Sequence, residues 1–212
     1  MTEVLTLVSL TADMAPLAKQ APGGVGGVLD RSGAGWSIAE RGVGASAELV
    51  SWLEQQAATH GIDWAITPET NRKKRLLISD MDSTIIGQEC LDELADFAGL
   101  KAEVSAITER AMRGELDFAG ALTQRVAMLK GLGLEALAKC HEERVTLNAG
   151  ARELVATMKA HGARCVLVSG GFRYFTSRVA AMAGFEADRA NTLIDDGARL
   201  TAAHLKATLS PI

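Results

Sequence analysis

Apolar residues in this chain come as short unbroken runs alternating with amphipathic stretches. Val4-Leu5-Thr6-Leu7-Val8 predicts a strand, and residues 47–59 a helix, with Leu49, Val50, Leu53 and Ala57 near one face. A short strand is expected at Trp64-Ala65-Ile66-Thr67. Between them, the glycine-rich stretch 23–35 lacks a preceding strand and a following helix in nucleotide-binding order, and is read as a loop. Strand, helix, strand over residues 1–70 makes a small α+β module, with a polar linker from Pro68 to Arg75.

From residue 71 the pattern changes. Leu76-Leu77-Ile78 is a short apolar strand ending at Ser79-Asp80. Leu91, Leu94, Ala95 and Ala98 then fall at helical spacing, with Gly99 placed to end the helix. Val104, Ile107 and Ala111 continue on a second helix. Asp117 can N-cap a third, whose stripe is Phe118, Leu122, Val126 and Leu129. A fourth is expected from Leu134 to Arg144. Residues 86–148 are therefore a helical insertion between two strands. The second strand, Cys165-Val166-Leu167-Val168, ends at a Ser169-Gly170-Gly171 turn and lies between helices at 149–160 and 172–183. Residues 192–201 read as a hairpin about Asp195-Asp196-Gly197. Apolar strands alternating with helices predict an α/β fold, a parallel sheet covered on both faces. Ligands of such sheets sit outside the carboxyl ends of the strands, where Asp80 and Ser169 lie.

Composition narrows the function classes. The 212 residues are 48% apolar and carry a net charge of −4, with no electrostatic reason to expect nucleic acid or an anionic membrane as partner. The basic run Arg72-Lys73-Lys74-Arg75 is too short to outweigh that balance and reads as a solvated linker. Three widely spaced cysteines (Cys90, Cys140, Cys165) match no zinc or disulfide framework, and no signal peptide or membrane span is evident. A cytoplasmic location is expected.

Two segments carry chemistry. Asp80-Met81-Asp82-Ser83-Thr84 sets two carboxylates two residues apart after a buried strand. One can attack phosphorus while the other protonates the departing alkoxide and then activates water. Packed negative charge also attracts a divalent cation, preferably Mg²⁺. The same residue types could instead only cap the next helix. Ser169-Gly170-Gly171-Phe172 offers a hydroxyl and glycine N–H groups as a phosphate cradle, or an ordinary capped turn. Arg125 follows the apolar stripe of its helix, where a guanidinium seeks a carboxylate or snorkels from the edge.

Asp80-Met81-Asp82-Ser83-Thr84 and Ser169-Gly170-Gly171-Phe172 resemble the first and second motifs of the haloacid dehalogenase (HAD) superfamily. Gly87-Gln88-Glu89-Cys90-Leu91-Asp92-Glu93-Leu94-Ala95 resembles its phosphoserine phosphatase branch, as do Ala111 to Phe118 and Gln124-Arg125-Val126. The similarity runs from about residue 75 to 201. It implies a HAD-like core with residues 86–148 as cap, and an N-terminal module like the regulatory ACT type, though shorter and richer in glycine. It further implies hydrolysis of phosphoserine, a small-molecule substrate, through an aspartyl-phosphate. Asp80 would be the nucleophile and Asp82 the acid/base, both also holding Mg²⁺. Glu89 and Arg125 would bind the serine ammonium and carboxylate, Met112 and Phe118 would line the pocket, and Ser169, Gly170 and Gly171 would bind phosphate.

The family's third motif, a lysine, and its fourth, Gly-Asp-Gly-Ala-Asn-Asp, have no match before Ile212. Asp196-Gly197-Ala198 matches the family's earlier hairpin, and Lys206 falls too early. The sequence thus reads as C-terminally incomplete. Weak activity is expected, with self-association through an unpaired edge of the Leu76–Asp80 strand. Two other readings stay open: a phosphoserine-dependent phosphotransferase, and a remnant that binds phosphoserine or a partner without turnover.

Overall fold

The computed structural model describes residues 3–33 and 35–201, and of Met112 and Phe118 the backbone only. Lys206 lies outside the described residues. The chain divides into two compact units at Lys74/Arg75.

In the first unit the order is β1 (Glu3–Ser9), α1 (Ala15–Lys19), β2 (Gly24–Asp30), β3 (Ser37–Val43), α2 (Ala47–His60) and β4 (Asp63–Pro68). The strands form one antiparallel sheet in the order β2-β3-β1-β4. Leu5 and Leu7 of β1 and Ala39 and Val43 of β3 are buried, in one core with Ala18, Leu49 and Leu53 of the helices. The Ser46 side chain caps α2 by accepting from the Leu49 amide at 3.1 Å.

The glycine-rich stretch is not a loop. It forms the edge strand β2, whose pairing with β3 slips between Val25 and Val28. Gly26, at φ +69°, sits inside that bulge, in a backbone conformation that a side chain would oppose. The basic run is not wholly free either: Arg72 donates to Thr6 Oγ1 at 3.2 Å and Glu40 Oε1 at 2.5 Å. This guanidinium holds the Glu40 carboxyl below its ordinary range, against the opposing effect of burial.

In the second unit the order is β5 (Leu76–Ser79), α3 (Cys90–Phe97), α4 (Lys101–Met112), α5 (Phe118–Met128), α6 (Leu134–Arg144), α7 (Ala151–Ala160), β6 (Arg164–Phe172), α8 (Arg173–Ala183) and β7 (Ala187–Asn191). Three parallel strands lie in the order β5-β6-β7, with Leu77 opposite Cys165 and Val166 opposite Ala187. Five helices, α3 to α7, separate β5 from β6, and an isolated bridge from Ile86 to Leu147 ties the segments before α3 and after α6. Cys90, Leu94, Leu122, Val126 and Leu137 of these helices share one buried cluster with Cys165, Leu167 and Phe172 of β6 and Met81 of the loop after β5.

Two expectations change here. Ser169-Gly170-Gly171 is not a turn beyond the strand but its irregular end, where β6 shifts register between Val168 and Phe172. The 192–201 segment forms isolated bridges, Asp195 with Leu200 and Arg199 with Gly133, without a named strand. Leu200 is held by the α5–α6 connection: its carbonyl accepts from the Gly131 amide and its amide donates to Leu132, both at 2.8 Å.

Among the described residues β5 is paired on one side only, and Leu76 and Ile78 are 51% and 61% exposed. Such an edge templates pairing with another chain. The chain should therefore self-associate with rising concentration, and Ile78→Lys should reduce this by placing a charge on the strand. Light scattering of both proteins checks it; equal particle sizes at every concentration would contradict it.

Candidate active site

The site is built on the carboxyl ends of β5 and β6, neighbouring strands that run the same way. Met81 is fully buried, and its carbonyl accepts from the amides of Thr84, Ile85 and Ile86 at 3.4, 3.0 and 3.1 Å. Burying that one side chain turns the chain sharply, leaving Asp80 and Asp82 on either side of it.

Asp80 is exposed, with Oδ1 accepting from the Met81 amide at 2.7 Å. Asp82 is half-buried and held at both oxygens. The Cys90 amide donates to Oδ1 at 2.9 Å and the Ser169 hydroxyl to Oδ2 at 3.2 Å. Burial pushes the Asp82 carboxyl above its ordinary value, and the nearby Asp80 charge adds to this. The hydrogen bonds from Cys90 and Ser169 pull it the other way. An exposed carboxylate beside one biased toward its protonated form divides the labour of nucleophile and acid.

The Ser169 segment is fixed from two sides. Its hydroxyl also accepts from the Gly171 amide at 2.9 Å. The Gly170 carbonyl accepts from Asn191 Nδ2 at 2.8 Å, at the end of β7. A Cβ on Gly171 would stand 3.1 Å from both Asp82 Oδ2 and Ser169 Oγ, so no side chain fits there without displacing them. The Cys90 thiol is no rival nucleophile, because burial, with the charge of Asp82, pushes it far up.

Among the other candidates, Glu89 is exposed and accepts from the Ser83 hydroxyl at 2.6 Å. Arg125 lies half-buried on α5, its Nε donating at 3.4 Å to the Ala121 carbonyl of its own helix. No carboxylate among the described residues forms an ion pair with it. The structure thus joins Asp82, Ser169 and Gly171 by hydrogen bonds, sets Asp80 near enough for its charge to bear on Asp82, and joins Glu89 to the same loop through Ser83. Arg125 is joined to neither, and the side chains of Met112 and Phe118 lie outside the described residues. Two contributors escaped the sequence reading. Asn191 sits in a strand whose polar sequence gave no strand signal, and Cys90 acts through its backbone, which no side-chain pattern reports.

For a metal, Asp80 keeps oxygen lone pairs beyond the Met81 contact, and the Asp82 carbonyl is two residues on. The described residues hold no group of three or more His, Cys, Asp or Glu close enough to ligate one ion. Few, hard, oxygen donors suit an ion that keeps waters and takes oxygens from a substrate phosphate, and do not suit zinc.

The raised Asp82 value gives a testable stability effect. The folded chain holds this proton more tightly than the unfolded chain, so the stability it contributes is complete below the unfolded value and is lost as pH rises through the folded one. In metal-free buffer, Asp82→Asn should raise Tm at neutral pH. The gain should shrink near about pH 4, the ordinary carboxylate range. Thermal melts at both pH values check this; a gain independent of pH would show that Asp82 charge is not its source.

A family model described as haloacid dehalogenase-like hydrolase matches residues 77–209. The phosphoserine phosphatase of Archaeoglobus fulgidus is 44% identical over 158 residues, covering 74% of this chain and 46% of that protein. That of Albidiferax ferrireducens is 50% identical over 125 residues, covering 58% and 53%. The chain therefore spans about half the length of the curated relatives it matches. Among solved structures, a HAD family hydrolase from Salmonella enterica serovar Typhi superposes with TM-score 0.80 at 27% identity, over 94% of this chain and 71% of that one. A probable phosphoserine phosphatase from Vibrio cholerae gives 0.74 at 29%, over 98% and 64%.

Proposed function

Because the chain belongs to the haloacid dehalogenase-like hydrolase family, we propose that it is a phosphoserine phosphatase. In this reading it releases serine and phosphate through a phosphoaspartate, the last step of serine biosynthesis. The observation that carries the proposal is the Asp82–Ser169 hydrogen bond, which brings a carboxylate pair and a phosphate-type cradle together at two adjacent strand ends.

In the first half-reaction an Asp80 oxygen bonds phosphorus as the bond to the serine oxygen breaks, and Asp82 gives that oxygen its proton. In the second, Asp82 takes a proton from water, whose oxygen bonds phosphorus as the Asp80–phosphorus bond breaks. The Gly170 N–H holds a phosphate oxygen, and the Ser169 hydroxyl and Gly171 N–H hold others by exchanging their bonds to Asp82 and to Ser169 for bonds to phosphate. Mg²⁺, held by the Asp80 carboxylate and the Asp82 carbonyl, would offset charge between nucleophile and phosphate. Glu89 receives the ammonium of the substrate, Arg125 its carboxylate, and Met112 and Phe118 line the pocket. An unpaired guanidinium half-buried on α5 supports the Arg125 role, since such a group seeks a bidentate acceptor.

We read residues 86–148 as the cap over this core. The N-terminal unit is read as ACT-like, on the support of its β1-α1-β2-β3-α2-β4 order and its sheet order. No helix among the described residues is long and apolar enough to cross a membrane. The three cysteines are free and buried, which suits a reducing cytoplasm.

Calorimetry with phosphoserine, beside a phosphate-release assay with and without Mg²⁺, tests the proposal. Mg²⁺-dependent release is expected. Binding without release, or release to an added alcohol rather than to water, would overturn hydrolysis in favour of a remnant or a phosphotransferase.

A further inference from the structure

We propose that Ser83 is a specificity-positioning residue, whose hydroxyl holds the Glu89 carboxylate where a substrate ammonium is received. This rests on the reading of Glu89 as the ammonium partner. Among the described residues only Asn71 and Ser83 have a positive φ without being glycine, and Ser83 stands at +50°. Asparagine tolerates that region through its short amide, whereas a serine there is strained. Glycine would take the same backbone conformation freely. What serine adds in exchange for the strain is a hydroxyl, and that hydroxyl donates to Glu89 Oε1 at 2.6 Å.

The surrounding loop fixes this geometry. The Ser83 amide donates to the Gln88 carbonyl at 3.2 Å, closing residues 83–88 on themselves. Gln88 is clamped in turn, its Nε2 donating to Thr146 Oγ1 at 3.0 Å and its Oε1 accepting from the Thr146 amide at 3.1 Å. Glu89 is the N-cap residue of α3, yet its side chain makes no capping bond, and no cation among the described residues pairs with it. Its carboxylate is thus aimed by a single neutral donor three residues from Asp80 and keeps capacity for a cation. A charge-assisted bond of this length orients the acceptor without neutralising it.

The test is calorimetric binding of phosphoserine and of its desamino ester, 3-phosphooxypropionate, to the 212-residue chain. Wild type should prefer phosphoserine. Ser83→Ala and Ser83→Gly should each lower that preference about three- to tenfold, the net worth of an ordinary hydrogen bond, since the bond acts on the ammonium only through Glu89. Ser83→Gly should also raise Tm by relieving the strained backbone, which separates lost positioning from lost folding. An unchanged preference in Ser83→Gly, with the wild-type preference intact, would overturn the Ser83 role alone. A wild type that binds both esters equally, or neither, would instead overturn the Glu89 reading and with it this proposal.

Discussion

Asp80→Asn should bind phosphoserine nearly as wild type does and turn it over about 10⁴- to 10⁶-fold more slowly, the loss seen when a nucleophile is removed from other enzymes. The amide keeps the shape of the carboxylate and its acceptor for the Met81 amide. It has no anionic oxygen with which to bond phosphorus. No neighbour takes over. Asp82 is held at both oxygens by Cys90 and Ser169, and the Cys90 thiol stays protonated. Phosphate-release kinetics beside calorimetry measure both quantities, and near wild-type turnover would remove Asp80 from the role.

Arg125→Ala should weaken phosphoserine by about 10- to 100-fold while changing an ester without a carboxylate little. The magnitude is that of a hydrogen-bonded charged pair. Arg125 sits between the buried Leu122 and Val126, its head bonded only weakly to its own helix. The guanidinium therefore gives up little protein contact on binding a carboxylate, and its removal leaves the α5 core intact. Affinities of phosphoserine and phosphoethanolamine for both proteins check this. Equal loss for both esters would make Arg125 structural.

How much of this was legible in the sequence depended on whether the controlling contacts were local. Leu76-Leu77-Ile78 and Cys165 to Val168 announced themselves as apolar parallel strands, though Leu76 and Ile78 prove exposed at the sheet edge, and the polar residues ending them marked the site. Asp117 followed the local chemistry of caps. Other elements depend on partners distant in sequence. Ala187–Asn191 has no apolar run, and it forms a strand because β6 pairs with it and Thr176 of α8 bonds Asp188 at 2.8 Å. The Gly24–Asp30 strand is hidden by its glycines, which a bulge on an edge strand accommodates. Backbone contacts are equally silent: the Cys90 amide that orients Asp82 is a donor any residue but proline would supply. Ser83 was visible only as part of a motif, and its strained backbone and its bond to Glu89 emerged from three-dimensional closure of the loop.

In the proposed mechanism Asp80 carries the phosphoryl group as a covalent adduct. Mixing the chain with phosphoserine and Mg²⁺, quenching in acid and mapping peptides by mass spectrometry addresses it directly. A phosphoryl adduct is expected on the peptide containing Asp80, labile to hydroxylamine as an acyl phosphate must be and absent from Asp80→Asn. Phosphate release without any such adduct at the shortest quench times, or an adduct on another residue, would contradict it.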